Sequence, residues 1–134
     1  MAVEFIALEQ TVAPGANLIF TATIPRCGVR GIRQREGSGL IEFRSGQCHP
    51  AVVARFSGNI SIPTGGTVEE ITAALALNGE ALTSSEMAVT PAAVEERWNV
   101  SAQAVIGDLG CSDTITVRNT SDQAITLGGN LIIE

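Results

Sequence analysis

A chain of 134 residues with 45% apolar and 16% charged content is long enough to bury one core and too apolar for global disorder. Its net charge of −6, with all eight basic residues Arg, excludes nucleic acid as a partner, because an acidic molecule is repelled by phosphate. No run approaches the roughly 18 apolar residues of a membrane helix, and no basic, then apolar, leader opens the sequence, so neither a membrane nor a secretion signal is expected.

Val3 to Leu8 reads as a first strand, and Ala13-Pro14-Gly15-Ala16 as the turn after it. Asn17 to Ile24 reads as a second strand with Leu18, Phe20, Ala22 and Ile24 on one face, stopped by Pro25. Two shorter extended pieces follow, Val29 to Arg35 and Leu40 to Arg44, about a Gly37-Ser38-Gly39 turn. Ala51 to Ile62 is a long strand, with Val52, Ala54, Phe56, Gly58, Ile60 and Ile62 on its dry face. Val68 to Leu77 comes next, with Ile71, Ala73, Leu75 and Leu77 in phase. Asn78-Gly79 is the strongest short hairpin signal in the chain, and Ala81 to Val89 is the returning strand.

Thr90-Pro91 breaks that strand, and Val94 to Ile106 alternates most regularly of all. Val94, Trp98, Val100, Ala102, Ala104 and Ile106 share one face with only Glu96 among them, whereas Val105 is the one apolar residue of the other face. The single Trp is therefore expected in the core. Gly107 to Gly110 reads as a turn, Thr114 to Asn119 as a strand with Ile115 and Val117 inward, and Ala124 to Ile133 as the last strand, bulged at Gly128-Gly129. No stretch sustains a helical period. About ten short strands with regular turn signals predict two packed sheets. Each buried Val, Ile or Leu contributes about 1.5–3 kcal/mol, enough against chain entropy only if they share one core.

The two ends break the alternation. Val3-Glu4-Phe5-Ile6-Ala7-Leu8 and Asn130-Leu131-Ile132-Ile133 are apolar on both faces, and a sandwich covers only one. Copies of the chain are the simplest cover for the second face. Phe5, Ile6, Leu131, Ile132 and Ile133 are thus the expected oligomer interface, with residues 1–16 taking part in assembly.

Charge is uneven. Six Arg residues (26, 30, 33, 35, 44 and 55) against Glu36 and Glu42 make one segment +4, and the remainder is −10. Arg26, Arg30, Arg33 and Arg35 either dock an acidic partner or pair with Glu of the same or a neighbouring copy. Cys27, Cys48 and Cys111 are odd in number. Cys27 and Cys48 bracket the Arg segment and could be bridged; buried thiols are the other reading. No metal is expected, since adjacent Cys48 and His49 point to opposite sides of a strand and no Cys-x-x-Cys exists. The same geometry argues against a Cys48–His49 nucleophile pair, and there is neither a Gly-x-Ser-x-Gly nor a phosphate loop. Glu69-Glu70 and Glu95-Glu96 read as solvated charge; Asp108, Asp113 and Asp122 fall in turns where calcium is conceivable.

The block Ser57-Gly58-Asn59-Ile60-Ser61-Ile62-Pro63-Thr64-Gly65-Gly66-Thr67-Val68, then Ile71 to Glu80, then Val89 to Ser101, with Val117-Arg118-Asn119-Thr120-Ser121 and the Asn130-Leu131-Ile132-Ile133 end, resembles a family of short proteins of Firmicutes bacteria and their phages. Arg35-Glu36-Gly37-Ser38-Gly39 fits it too. That family is similar to the trimeric jelly-roll heads of complement and tumour-necrosis-factor proteins, which also cap collagen-like exosporium glycoproteins. The resemblance implies a single all-β domain, a ten-stranded, two-sheet jelly roll, and a trimer around the terminal strands. Relatives often carry a Cys pair where this chain has Cys111-Ser112, and no Gly-X-Y stalk is present. Asn59, Asn99 and Asn119 open glycosylation-like triplets, which carry no meaning in a bacterial or phage protein. With no catalytic or cofactor constellation, the expectation is a non-enzymatic virion structural protein. It would decorate a phage capsid or head the fibre as a homotrimer, with a capsid protein or other virion component as partner. The alternative is a glycan- or receptor-binding trimeric head on a spore or cell surface.

Overall fold

The computed structural model describes residues 2–24, 31–43, 49–109 and 113–134, with residues 49, 50, 108 and 109 by backbone alone. Among the described residues eleven strands form two antiparallel sheets: β1 (Val3–Val12), β2 (Ala22–Ile24), β3 (Ile32–Arg35), β4 (Leu40–Phe43), β5 (His49–Ser61), β6 (Ile71–Leu77), β7 (Glu80–Ala81), β8 (Met87–Val89), β9 (Trp98–Leu109), β10 (Thr114–Asn119) and β11 (Ile125–Ile133). One sheet runs β2-β1-β11-β5-β9; the other runs β3-β4-β10-β6-β7, with β8 also on β6. From β4 onward, apart from the β6-β7-β8 meander, each long strand is followed by one in the opposite sheet. The core therefore fills from both sides with alternate residues.

Those residues are the ones the alternation marks. Phe5, Ala54, Phe56, Ile60, Leu127 and Leu131 of the first sheet meet Ile41, Phe43, Ile71, Leu75, Ile115 and Val117 of the second, all fully buried. Phe20 closes on Phe5 with ring centroids 6.1 Å apart, tilted by 59°. Asn78 (φ 52°) and Gly79 (φ 84°) are both left-handed, as a two-residue hairpin between right-twisted strands requires, and they join β6 to β7. The Asn78 side chain holds the turn by donating to Asp113 Oδ1 at 3.0 Å and accepting from the Thr114 amide at 2.9 Å.

Several expectations are corrected. Trp98 is 44% exposed, not central: β9 is the edge strand of its sheet, and Trp98 is its first residue. The strand begins there and not at Val94, because Glu95 is left-handed (φ 63°) and Glu96 accepts the amides of Ala92 and Ala93. At its other end β9 runs on through the expected 107–110 turn to Leu109, opposite His49. Residues 17–24 are not one strand. Leu18 N donates to Val117 in one sheet and Thr21 N to Ile6 in the other, so this is a crossover; Leu18 and Phe20 are buried but Ala22 and Ile24 face out.

The stretch 81–89 is split by a 3-10 turn, Thr83–Ser85, and the buried Ser85 hydroxyl takes the Leu75 amide at 3.0 Å in place of a ladder partner. The bulge also lies elsewhere. Ala7 pairs Gly129 and Gln10 pairs Leu127, so the extra residue is in β1, opposite Gly128. A Cβ on Gly128 would stand 2.7 Å from Glu9 Cα, and one on Gly58 would stand 2.0 Å from the Gly128 carbonyl oxygen. These glycines let three backbones approach where the bulge seats.

Candidate functional site

The five-stranded sheet has an outer face that no described element of the same chain covers. Registers across its strands place Ile24, Glu4, Ile132, Arg55 and Gln103 in one row, and Ala22, Ile6, Asn130, Ser57 and Ser101 in the next. Val53 and Val105 pair beside them, and Val105 is 73% exposed. Leu8, in the bulge, is 68% exposed. The face thus has one apolar flank along β2 and β1, centred on Ile24, Ile6 and Leu8 and reaching Ile132. Its other apolar flank lies on β5 and β9. Between them lie polar links: Asn130 donates to Glu4, and Arg55 pairs with Glu134.

This geometry divides the residues expected at an oligomer interface. Phe5, Leu131 and Ile133 point into the subunit's own core and are no more than 1% exposed, so they have no surface to offer a neighbour. Period-2 geometry puts them on the face opposite Ile6 and Ile132, which are half-buried and point outward. An apolar run on both faces announces that two faces are dry but not which one is inside. Ile24, expected on one face with Leu18 and Phe20, is an outer-face residue, and Leu8 joins it there, while Val53 and Val105 are legible as apolar residues on the wet faces of their strands.

Of the docking arginines, Arg35 pairs with Glu42 of the neighbouring strand at 2.7 Å and Arg33 is exposed. Internal pairing therefore accounts for Arg35 and Arg55. Arg26, Arg30, Arg44 and the expected Cys27–Cys48 bridge lie outside the described residues, as do Cys111 and the His49 side chain. Among the described residues no three His, Cys, Asp or Glu side chains converge as a metal site, and no helix is long and apolar enough to cross a membrane.

Loops at the bulge end of this sheet carry a second concentration of polar groups. Arg97 donates to Glu9 at 2.8 Å, and the Thr64 hydroxyl donates to Glu95 at 2.8 Å. Glu9, Glu95 and Arg97 line, with Ser61 and Thr126, a pocket of about 380 Å³.

Strand order and packing define a jelly roll of the tumour-necrosis-factor and complement C1q kind. Similar solved structures include the TNF Eiger of S. frugiperda, at TM-score 0.71 and 11% identity over 99% of this chain and 90% of that one. Murine APRIL matches at TM-score 0.70 and 12% identity, over 98% and 95%. The globular domain of zebrafish complement 1qA matches at TM-score 0.68 and 12% identity, over 99% and 94%. No family model and no curated protein matches the chain.

Proposed function

We propose that the chain is a non-enzymatic, homotrimeric head that serves as a structural component of a phage particle, decorating the capsid or heading a fibre. The observation that carries the assembly is the pair of separate apolar flanks on one outer face: Ile6, Leu8, Ile24 and Ile132 on one side, Val53 and Val105 on the other. Two different patches on one molecule favour a head-to-tail contact, which closes into a ring when the rotation allows, and three copies are the ring that the fold's resemblances support. The place in a virion rests on the likeness of the Ser57–Val68 and Val89–Ser101 blocks to short Firmicutes and phage proteins. Arg33, exposed on β3 and outside the internal ion pairs of Arg35 and Arg55, is the described arginine of the basic segment that would meet an acidic shell.

Sedimentation velocity tests the assembly. The wild type should run as a trimer and Ile132→Glu as a folded monomer, because a carboxylate on this face loses its water on association. A monomeric wild type would reject the trimer. Cryo-microscopy of purified virions tests the location, and particles lacking the protein would reject it.

A further inference from the structure

We propose that the pocket at the bulge end of the five-stranded sheet binds a saccharide. It is formed by Glu9, Ser61, Glu95, Arg97 and Thr126. Ser61 is 4% exposed and faces out of the sheet in register with Thr126, and neither hydroxyl has a side-chain partner among the described residues. The Ser61 side chain is thus held in place by its buried surroundings while its hydroxyl opens into the pocket, where a ligand atom can replace its water.

The charges around it select the ligand class. Glu9 and Glu95 against Arg97 leave the rim at −1, which repels anions. A hard divalent cation would need six or more oxygens and would sit beside a guanidinium already paired with Glu9 at 2.8 Å. An apolar ligand would leave both hydroxyls unpaired. A neutral polyol satisfies every group at once, donating to the two carboxylates and accepting from Arg97, Ser61 and Thr126. A neighbouring hollow has the same chemistry: Asn59 and Asn99 stand opposite each other across β5 and β9 beside Ser57 and Ser101, both exposed, without charge, and without a side-chain partner among the described residues. A second sugar ring would rest there.

The backbone holds the rim in place. Gly128 seats the bulge that presents Glu9, and the left-handed Glu95 donates its amide to Ile62 O at 2.6 Å. Thr126 lies six residues along β11 from Ile132, roughly 20 Å at the rise of a strand, so the pocket is set off from the Ile132 row and borders the assembly flank only at Leu8, beside Glu9.

Titration of the isotopically labelled full chain, followed by amide chemical shifts, tests the site. The probes are glucose, galactose, mannose, N-acetylglucosamine and rhamnose, with methylammonium and inorganic phosphate beside them. At least one sugar should give saturable shifts at Ser61, Glu95, Arg97 and Thr126. Glu95→Gln and Ser61→Ala should each weaken it about tenfold, the loss of one good hydrogen bond, with unchanged melting and sedimentation. No saturable shift with any sugar would overturn the proposal, as would sugar shifts that survive both variants. Methylammonium or phosphate binding in the sugars' place would also overturn it. Sedimentation of the same samples reads the trimer separately, so neither failure can be mistaken for the other.

Discussion

Thr116 and Asn119 are two buried polar residues on one strand with opposite accounts. Asn119 is fully buried and fully used: its amide donates to Val12 O and Gln123 O, both at 2.9 Å, and its oxygen accepts the Ser121 amide at 2.8 Å. It ties the end of β1 to the β10–β11 turn. Thr116 is 1% exposed, and its hydroxyl has no partner among the described residues. An unmatched buried hydroxyl costs about 1–3 kcal/mol, and valine has nearly the same shape without it. Thr116→Val should therefore raise stability by about 1 kcal/mol, read as a higher urea midpoint with an unchanged slope. Nothing in the primary structure separates these two residues, since both are small polar positions in a β-branched strand. Their difference lies in what the rest of the chain brings to each.

At the level of the strand, the glycines under the bulge are the most constrained positions. A methyl group on Gly128 would meet Glu9 Cα and N at 2.7 and 2.8 Å, and both are backbone atoms that cannot swing away. Gly128→Ala should destabilise the fold by about 2–3 kcal/mol, the range of an overpacked core, and should weaken sugar binding because Glu9 moves with the bulge. Chemical denaturation and the shift titration check the two halves. Strand positions were legible: β5 follows the period-2 pattern, β6, β10 and β11 lie inside the expected strands, and Asn78-Gly79 marks its hairpin, but the burial of Ala74, Ala76 and Thr116 on the second face of β6 and β10 was not. Edge position and crossover were not. Trp98 has an inward-facing pattern, yet it opens an edge strand, and the 18–20 segment alternates like a strand while pairing with two different sheets. The bulge was read at the right place in the sheet but on the wrong strand, since Gly128-Gly129 marks the residues that make room and β1 carries the insertion. The polar pocket was not legible at all: its five residues come from four separate stretches of chain, and Glu95 read as solvated charge.

For the whole molecule, the unsatisfied quantity is the outer sheet face. If copies cover it, folding and assembly are linked by mass action, and the melting temperature should climb with protein concentration. Ile132→Glu should remove that dependence while keeping the far-ultraviolet signature of a β-sandwich. Scanning calorimetry over a hundredfold concentration range would show either result. Melting that is independent of concentration in the wild type would leave Ile6, Ile24 and Val105 hydrated in a stable single subunit.

The place of β11 has a temporal consequence. The last strand of the chain lies between β1 and β5, and Val3 pairs with Ile133 across almost the whole sequence. During translation, then, β1 and β5 each wait with a bare edge until Ile125–Ile133 has left the ribosomal tunnel, and the core cannot be sealed before that. Such non-local closure belongs to slow folders, so refolding from urea should take milliseconds to seconds. A nascent chain stalled before Ile125 should stay sensitive to protease, whereas one extended past Glu134 by a tunnel-length linker should resist it.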